Sequence, residues 1–441
     1  MIRLYVLILF FLFSCSPDYS EINFIETNFD NRTLKIIDII GGSDEDIVNK
    51  VIPTKDGGFM IIGNSKSVDG HFEMKKRLGN DIFVTKFSSS AEIQWTNFYG
   101  GSDDDIGNDI VESVDGSFYL IGYSKSKDGD ASINKGQHDN WLLKIDSSGN
   151  LLWEKSYGFA GHDHAYNIIA TNDGGLFFNG FLDITASNGQ GKALRHGVGE
   201  FWCHKIDQKG NVIWRNYFGG SNNDRSYDAI ETADGGYILL GTSESNDFDI
   251  SKNNGSYDIW VVKISRFGDL EWEKSYGATG IDKGIAIIKN IENSYTILGN
   301  TNSQLINGVS SKGMNDYLII KLDSEGNTIS KIRYGGSDFD FAKDIIQTNY
   351  GSYFIIGYSK NPNNLYDVSL NKNAVFLTQT QKNGILEKSW NLKGSGDDLG
   401  VSLCQIANGS IILVGTTESN DGDFERFNSN GTDIFIAILN E

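Results

Sequence analysis

The phrase Trp95-Thr-Asn-Phe-Tyr-Gly-Gly-Ser-Asp-Asp-Asp105 determines the architecture, because copies of it return at a nearly constant spacing. Clear copies cover residues 153–163, 214–224 and 272–282, and weaker copies end at Asp46, Asp340 and Asp398. Successive terminal aspartates are separated by 59, 58, 61, 58, 58 and 58 residues. A fixed period of this length is typical of repeat architectures, so residues 34–441 are interpreted as seven copies of one structural unit.

Two residue types mark every unit at fixed positions. An aspartate ends each copy of the phrase: Asp46, Asp105, Asp163, Asp224, Asp282, Asp340 and Asp398. A glycine stands seventeen residues after each aspartate: Gly63, Gly122, Gly180, Gly241, Gly299, Gly357 and Gly415. We expect each carboxylate to accept backbone N–H bonds that hold a turn. We expect each glycine to permit a bulge or a close backbone approach. Both sets are therefore interpreted as structural, since an active site rarely needs seven equivalent acids.

Each unit contains four strand-like runs separated by turn signals. The first run ends in a tight turn such as residues 234–236, Asp-Gly-Gly, which is a strong hairpin signal. The second run, such as residues 237–241, is apolar throughout, which is typical of a strand buried on both faces. A polar loop, a third run, a short turn and a fourth run follow. Four antiparallel strands repeated seven times predict an all-β, seven-bladed β-propeller. A solenoid is the competing architecture.

The two ends of the repeat region complement each other. Residues 34–40 match only the fourth strand of a unit, and the C-terminal unit stops after its third strand, residues 433–439. We therefore expect the N-terminal strand to pair with that third strand and to complete the C-terminal blade. Such a seam closes the ring and removes an open sheet edge. Residues 34–441 are thus predicted to form a single propeller domain.

The N-terminus reads as an export signal. Arg3 precedes an unbroken apolar run over residues 4–13, which is too short to span a bilayer. Residues 12–15, Leu-Phe-Ser-Cys, resemble the bacterial lipoprotein lipobox, and this resemblance implies cleavage before Cys15 and acylation of Cys15, palmitate included. The alternative is an ordinary signal peptide with a chance cysteine. The prediction is therefore a signal peptide over residues 1–14, followed by a lipidated cysteine and flexible tether over residues 15–33.

Composition excludes several function classes. The 441-residue chain carries 38 Lys and Arg against 58 Asp and Glu, giving a net charge of −20. This argues against a nucleic-acid partner, because phosphate binding needs a basic face. Three cysteines exclude a disulfide scaffold, and Cys203 and Cys404 are interpreted as buried small hydrophobes. The sequence has no nucleophile elbow, HExxH motif, phosphate loop or sialidase-type Asp box, so no catalytic residue is assigned.

Two resemblances support the propeller. The phrase at residues 144–153, Lys-Ile-Asp-x-x-Gly-Asn-x-x-Trp, resembles the tryptophan-bearing repeats of quinoprotein-type propellers. The recurring Tyr-Gly-Gly-Ser, Asp-Gly-Gly-Tyr and Asp-x-Trp-Val-Val-Lys phrases resemble repeats in secreted and lipid-anchored proteins of Bacteroidota. These resemblances imply an architecture and little about activity. The repeat tryptophans are expected to pack between blades, with a sugar-stacking platform as the alternative: Trp95, Trp153, Trp214 and Trp272.

A binding site is expected on the face that carries the long loops between second and third strands, because function concentrates on loops over a rigid scaffold. Paired acids in these loops are candidate calcium ligands, with solvated loop polarity as the alternative: Asp128 and Asp130, Asp247 and Asp249, Asp421 and Asp423. Histidines concentrate in the third unit, where His162, His164 and His196 would share this face. These three are candidate ligands of zinc or another transition metal, although no close-spaced motif supports such a site.

The sequence therefore predicts a non-enzymatic lipoprotein, anchored by lipid in the bacterial outer membrane. Its propeller would bind a protein or a glycan through the long-loop face, with no nucleic-acid partner and no cofactor other than calcium. One alternative is a glycan-active enzyme in the central cavity, which a clustered carboxylate pair breaking the repeat symmetry would support. The other is a subunit of an outer-membrane assembly, which a large apolar surface patch would support.

Overall fold

Alternating apolar runs and Asp-Gly turns give a structure built almost entirely from strands. The computed structural model describes residues 32–184, 197–306, 308–360, 372–425 and 431–440. Over these ranges the chain forms thirty β-strands and two single-turn 3₁₀ helices, Gly70–Phe72 and Gly422–Phe424. In the same ranges, no helix has the length and apolar character needed to cross a membrane.

The strands group into seven antiparallel four-stranded sheets, the blades, in chain order. The N-terminal strand is β1 (Leu34–Ile40). Blade one holds β2 (Asp46–Pro53), β3 (Phe59–Ser65), β4 (Asp81–Phe87) and β5 (Ile93–Tyr99). Blade two holds β6 (Asp105–Glu112), β7 (Phe118–Ser124), β8 (Asp139–Ile145) and β9 (Leu151–Tyr157). Blade three holds β10 (Asp163–Ala170), β11 (Leu176–Asp183), β12 (Gly199–Ile206) and β13 (Val212–Phe218).

The later blades follow the same order. Blade four holds β14 (Asp224–Glu231), β15 (Tyr237–Ser243), β16 (Asp258–Ile264) and β17 (Leu270–Tyr276). Blade five holds β18 (Asp282–Lys289), β19 (Tyr295–Thr301), β22 (Asp316–Leu322) and β23 (Thr328–Tyr334), with the small hairpin β20 (Leu305–Ile306) and β21 (Val309–Ser310) before β22. Blade six holds β24 (Asp340–Gln347), β25 (Tyr353–Ser359), β26 (Ala374–Thr380) and β27 (Leu386–Leu392). Blade seven holds β28 (Asp398–Gln405), β29 (Ile411–Thr417) and β30 (Asp433–Leu439), with β1 as its fourth strand.

The blades close into a ring around an axis lined by their first strands. Each first strand contacts the first strands of both neighbouring blades, from β2 through β6, β10, β14, β18, β24 and β28 back to β2. The first strands are therefore innermost and the fourth strands outermost. The structure confirms the prediction of an all-β, seven-bladed β-propeller with four antiparallel strands per blade.

The seam between the chain ends lies in blade seven. β1 pairs antiparallel with β30, and the register runs from Leu34 opposite Leu439 to Ile40 opposite Ile434. Ile39 and Ile40 are buried in the clusters that the flanking blades form. The predicted completion of the C-terminal blade by the N-terminal strand is confirmed, and it removes the edge that β30 would otherwise expose.

Strand direction gives the propeller two unlike faces. First strands run away from the loops that carry the repeat aspartates, so these loops and the long second-to-third loops share one face, the long-loop face. The turns joining first to second and third to fourth strands share the opposite, tight-turn face. Because β1 occupies a fourth-strand position, the chain enters the propeller at Leu34 on the tight-turn face.

The core lies between blades, which explains why second and third strands are apolar on both sides. Every residue of β3, β15 and β16 is buried. Between blades three and four, for example, Phe201 and Cys203 of β12 pack in one cluster with Leu239 of β15 and Trp260 of β16. Both Cys203 and Cys404 are buried and unbridged.

The repeat tryptophans sit at the outer rim, near the tight-turn face. Each covers the glycine turn between the third and fourth strands of the next blade, as Trp95 covers Gly149, whose φ is +81°. A tyrosine of the same strand adds a hydrogen bond, because the Tyr99 hydroxyl donates to the Gly149 carbonyl at 2.6 Å. These contacts join neighbouring blades at the outer edge of the core, because Tyr99 belongs to the cluster between blades one and two and Trp95 packs against it.

The repeat glycines accommodate a bulge in the strand beside them. In blade two the register of β6 against β7 shifts between Gly107 and Asp109, and a Cβ added at Gly122 would lie 1.8 Å from the Ile106 carbonyl oxygen. We expect Gly122→Ala to lower the free energy of unfolding by about 3 kcal/mol, because backbone must move to admit the methyl group. Urea denaturation measures the change.

Gly116 in the same blade is the matched control. It has φ +78° and open space around an added Cβ, so Gly116→Ala carries only backbone strain, about 1 kcal/mol. Equal losses at the two positions would contradict the assignment of Gly122 to a close backbone approach.

Candidate functional site

The seven repeat aspartates hold the loops of the long-loop face. Each is the first residue of a first strand and is nearly or fully buried. Each Oδ2 accepts the backbone N–H of the residue four positions earlier at 2.6–2.8 Å. In five blades a serine hydroxyl also donates to the same oxygen at 2.8–3.0 Å. Burial raises the pKa of Asp46 and of Asp398 to about 6.

The paired acids of the long loops direct their oxygens at backbone amides. Asp128 accepts the N–H of Ser102 at 2.7 Å, and Asp130 accepts the N–H of Gly100 at 3.1 Å and pairs with Arg77 at 2.8 Å. The pairs Asp247 with Asp249 and Asp421 with Asp423 accept equivalent amides at 2.7–3.1 Å. These calcium candidates thus join each long loop to the aspartate loop that precedes the first strand of the same blade.

Three histidines converge on the long-loop face between blades two and three; we call them the histidine cluster. His138 precedes β8, His162 precedes β10, and His164 is the second residue of β10. His138 Nδ1 lies 2.9 Å from both His162 Nδ1 and His164 Nε2. The structure thus brings His162 and His164 together and adds His138. His196 lies outside the described residues.

Burial dominates the electrostatics of the histidine cluster. Burial lowers the pKa of His164 to about 3, and the neighbouring His138 and His162 act in the same direction. Burial also lowers the pKa of His138, with contributions from His162 and Lys125. Both rings are therefore neutral at pH 7, which leaves a nitrogen lone pair on each imidazole.

Aromatic side chains and one guanidinium adjoin the histidine cluster where the channel opens on the long-loop face. We call these residues the mouth cluster: Tyr123, Tyr166, Phe181, Arg225 and Tyr227. Tyr123 stacks on His164 with ring centroids 4.0 Å apart, and Tyr166 lies 5.4 Å from Tyr227. The exposed Arg225 places its guanidinium 4.5 Å from the Phe181 ring. Blades one and two carry Ile at the position of Arg225 and Asn at the position that Tyr166 and Tyr227 occupy, so this surface breaks the sevenfold repeat.

A second departure from the repeat lies deeper in the channel. The fourth residue after each repeat aspartate follows the bulge of its first strand: Lys50, Asp109, Asn167, Asp228, Ala286, Asp344 and Ser402. We call Asp109, Asp228 and Asp344 the channel carboxylates. Lys50 Nζ lies 3.0 Å from Asp344 Oδ2, so the ion pair passes across blade seven.

The channel carboxylates join neighbouring inner strands. Asp109 Oδ2 accepts the N–H of Ile168 at 2.9 Å, and Asp228 Oδ2 accepts the N–H of Ile287 at 2.8 Å. Burial raises the pKa of Asp109 to about 6 and that of Asp228 to about 7. Burial lowers the pKa of the Lys50 ammonium, but the carboxylate of Asp344 and the two others outweigh it and raise that pKa overall.

Sequence reasoning missed His138 and the channel carboxylates, although the aligned repeat carries a signal for each. His138 directly precedes Asp139, the first residue of the third strand β8, and His162 directly precedes Asp163, the first residue of the next blade's first strand, β10. These are two columns of the aligned repeat. These two columns are neighbours in the ring, since His138 and His162 form a parallel β-bridge and Tyr257 pairs with Ile281 in the same way. The channel column is visible as four charged residues at one repeat position, but only the structure shows that they meet.

Few known proteins match the chain in sequence. No family model matches the chain. One curated relative, the regulatory protein FlaEY of Caulobacter vibrioides, is 25% identical over 166 residues, which is 36% of this chain. The match spans 17% of that relative, so the chain covers about a sixth of its length.

Solved structures resemble most of the chain in three dimensions. An ulvan lyase of a new polysaccharide lyase family matches with a TM-score of 0.52 and 8% identity, covering 88% of this chain and 94% of that one. BamB from Moraxella catarrhalis matches with a TM-score of 0.42 and 11% identity, covering 92% of this chain and 100% of that one. Identities this low show the fold alone, and of these two likenesses the argument for the fold rests on the ulvan lyase.

Proposed function

We propose that the chain is a non-enzymatic cell-envelope lipoprotein whose propeller binds a glycan or a protein through its long-loop face. The mouth cluster carries this proposal, because it departs from the repeat at a surface that a ligand can reach. Half-buried tyrosines offer flat apolar surface together with hydroxyl groups, and Arg225 offers a planar cation on an acidic chain. Aromatic rings beside a guanidinium suit a ligand with a flat apolar face and a carboxylate.

Lipid anchoring rests on the sequence before the propeller. The apolar run over residues 4–13 and Cys15 have the arrangement of a lipoprotein signal. The repeat phrases add the resemblance to lipid-anchored proteins of Bacteroidota, which favours an outer-membrane location. Release of the protein from its membrane by a Cys15→Ser substitution would test the anchor directly.

The channel carboxylates are the residues that a glycan-active enzyme in the central cavity would use. All three accept a backbone amide of the next blade, and Asp344 also accepts the Ser402 hydroxyl at 2.6 Å and the Lys50 ammonium. Carboxylates engaged in this way hold the inner strands together. This geometry favours a binding scaffold over a hydrolase.

The assembly alternative has its own surface. Phe267, Ile291 and Tyr350 protrude from turns of blades four, five and six on the tight-turn face, with 64%, 67% and 82% of their surface exposed. Exposed apolar side chains on one face are the contacts that a partner subunit would cover. A partner subunit would therefore bind the tight-turn face, which is opposite the mouth cluster.

The two faces can be tested against each other. The full chain, wild type or variant, is probed with a panel of acidic and neutral oligosaccharides and, in parallel, crosslinked in its own membrane. We expect Arg225→Ala to abolish capture of the ligand and the paired Phe267→Ser, Tyr350→Ser variant to retain it. The reverse pattern would replace the proposal with the assembly alternative, and a ligand that neither variant affects would refute both.

A further inference from the structure

The histidine cluster gathers ring nitrogens from three separate points of the chain. His138 comes from the end of a long loop, His162 from an aspartate loop, and His164 from an inner strand. One nitrogen of each ring lies within 4.8 Å of the corresponding nitrogens of the other two. The backbone bridge between His138 and His162 holds two of these points together, so the convergence is built into the junction of blades two and three.

The three nitrogens cannot satisfy one another by hydrogen bonding. A neutral imidazole nitrogen carries either one proton or one lone pair in the ring plane. His138 Nδ1 lies 2.9 Å from His162 Nδ1 and equally far from His164 Nε2. It has a single in-plane direction for a proton or a lone pair, so it can align with only one of these neighbours. The other 2.9 Å contact is left without an aligned hydrogen bond, whereas a cation placed among the three rings can take a lone pair from each of them.

We propose that His138, His162 and His164 bind one divalent transition-metal ion, with zinc as the best-fitting metal. Imidazole nitrogen is a common ligand of zinc, copper and nickel, and none of the three ligands is a thiolate or a hard oxygen. A tetrahedral zinc ion with Zn–N bonds of about 2.0–2.1 Å separates its ligand nitrogens by roughly 3.3 Å. The two 2.9 Å contacts would need to open by a few tenths of an ångström, which side-chain rotation provides.

Surrounding side chains hold His164 in the orientation that a metal ligand needs. Tyr123 stacks on the His164 ring with an interplanar angle of 8°. The Tyr166 hydroxyl lies 3.5 Å from His164 Nδ1, the nitrogen that faces away from the cluster. The Tyr166 hydroxyl can accept an N–H from Nδ1, and in that tautomer Nε2 is free to bind the metal.

Three protein ligands leave a fourth coordination position. All three histidines are only partly buried, so water or a bound molecule can reach that position from the long-loop face. A carboxylate oxygen is a suitable occupant, because zinc accepts oxygen as well as nitrogen. The metal site stands beside the mouth cluster but does not depend on the proposed ligand of that surface.

Zinc titration of the full chain, purified in detergent and stripped of metal, tests this inference. Calorimetry should show one high-affinity zinc per chain, and cobalt in its place should give the visible absorption bands of tetrahedral coordination. His162→Ala and His138→Gln should each weaken binding at least 100-fold. His71→Ala is the matched control, because His71 is exposed in the corresponding long loop of blade one. This variant should bind zinc with the affinity of the wild-type protein.

The variants also need a readout of folding. Thermal melts without metal should be similar for wild type, His138→Gln and His71→Ala, and zinc should raise the melting temperature of wild type and His71→Ala only. Zinc binding that survives in His138→Gln and His162→Ala would overturn the inference, as would absence of a high-affinity site in wild type. Ligand capture that still depends on Arg225 in such a case would leave the proposed function standing.

Discussion

Lys50→Met is expected to lower the free energy of unfolding by about 3 kcal/mol at pH 8, because it leaves carboxylates in the channel without their cation. Asp344 keeps 8% of its side-chain surface exposed and Lys50 keeps 34%. The value is therefore at the low end of what breaking a buried ion pair costs. Urea denaturation of variant and wild type gives the difference.

The Lys50→Met loss should depend on pH in a defined direction. Asp109 and Asp228 have folded-state pKa values raised to about 6 and about 7. A raised carboxyl pKa contributes stability at low pH that is lost as the pH rises through the folded pKa. Removing the lysine raises these values further, so the variant should lose more stability than wild type between about pH 5.5 and pH 8.

Two variants make the interpretation specific. Lys50→Met combined with Asp344→Asn should recover part of the loss, because the double variant removes both charges of the pair. Lys66→Met breaks only the exposed pair with Glu45 and should cost less than about 1 kcal/mol. A Lys50→Met variant that behaves like Lys66→Met at pH 8 would show that the channel charges are not coupled.

Ile39→Asp should destabilise the propeller by about 5 kcal/mol, the largest effect that we expect from a single substitution. Ile39 is 6% exposed and lies opposite Phe435 in the seam. An aspartate there loses apolar packing and places a carboxylate in the cluster that includes Leu403 and Leu413. Since many domains have only about 5–15 kcal/mol of stability, the ring is expected to open at the seam.

Hydrogen exchange locates this effect. Backbone amides of β30 that pair with β1 should lose protection in Ile39→Asp, while those of β15 and β16 in blade four should retain it until global unfolding. Lys35→Asp, at an exposed position of the same strand, should change stability by less than about 0.5 kcal/mol. Unchanged protection of β30 in Ile39→Asp would contradict a seam that depends on β1.

The fold follows from the sequence because its determinants are local and repeated. An apolar second strand and a glycine at a fixed distance from an aspartate recur in every unit, and an Asp-Gly turn precedes the second strand in four of them, residues 56–57, 115–116, 173–174 and 234–235. The seam was predictable for the same reason, since residues 34–40 and 433–439 are complementary parts of one unit.

The candidate site was less predictable because it depends on contacts between blades. His162 and His164 are close in sequence and stood out, whereas His138 belongs to the preceding unit and becomes their neighbour only when blades two and three pack together. Lys50 and Asp344 are 294 positions apart. A bulge in each inner strand turns these side chains toward the channel, and a bulge is not visible in the pattern of apolar residues.

Entry of the chain at Leu34 on the tight-turn face, opposite Leu439 near the end of the last strand, places both ends of the described ring on that face. The histidine and mouth clusters lie on the opposite face. A chain continued from either end of the ring therefore starts on the side away from these clusters.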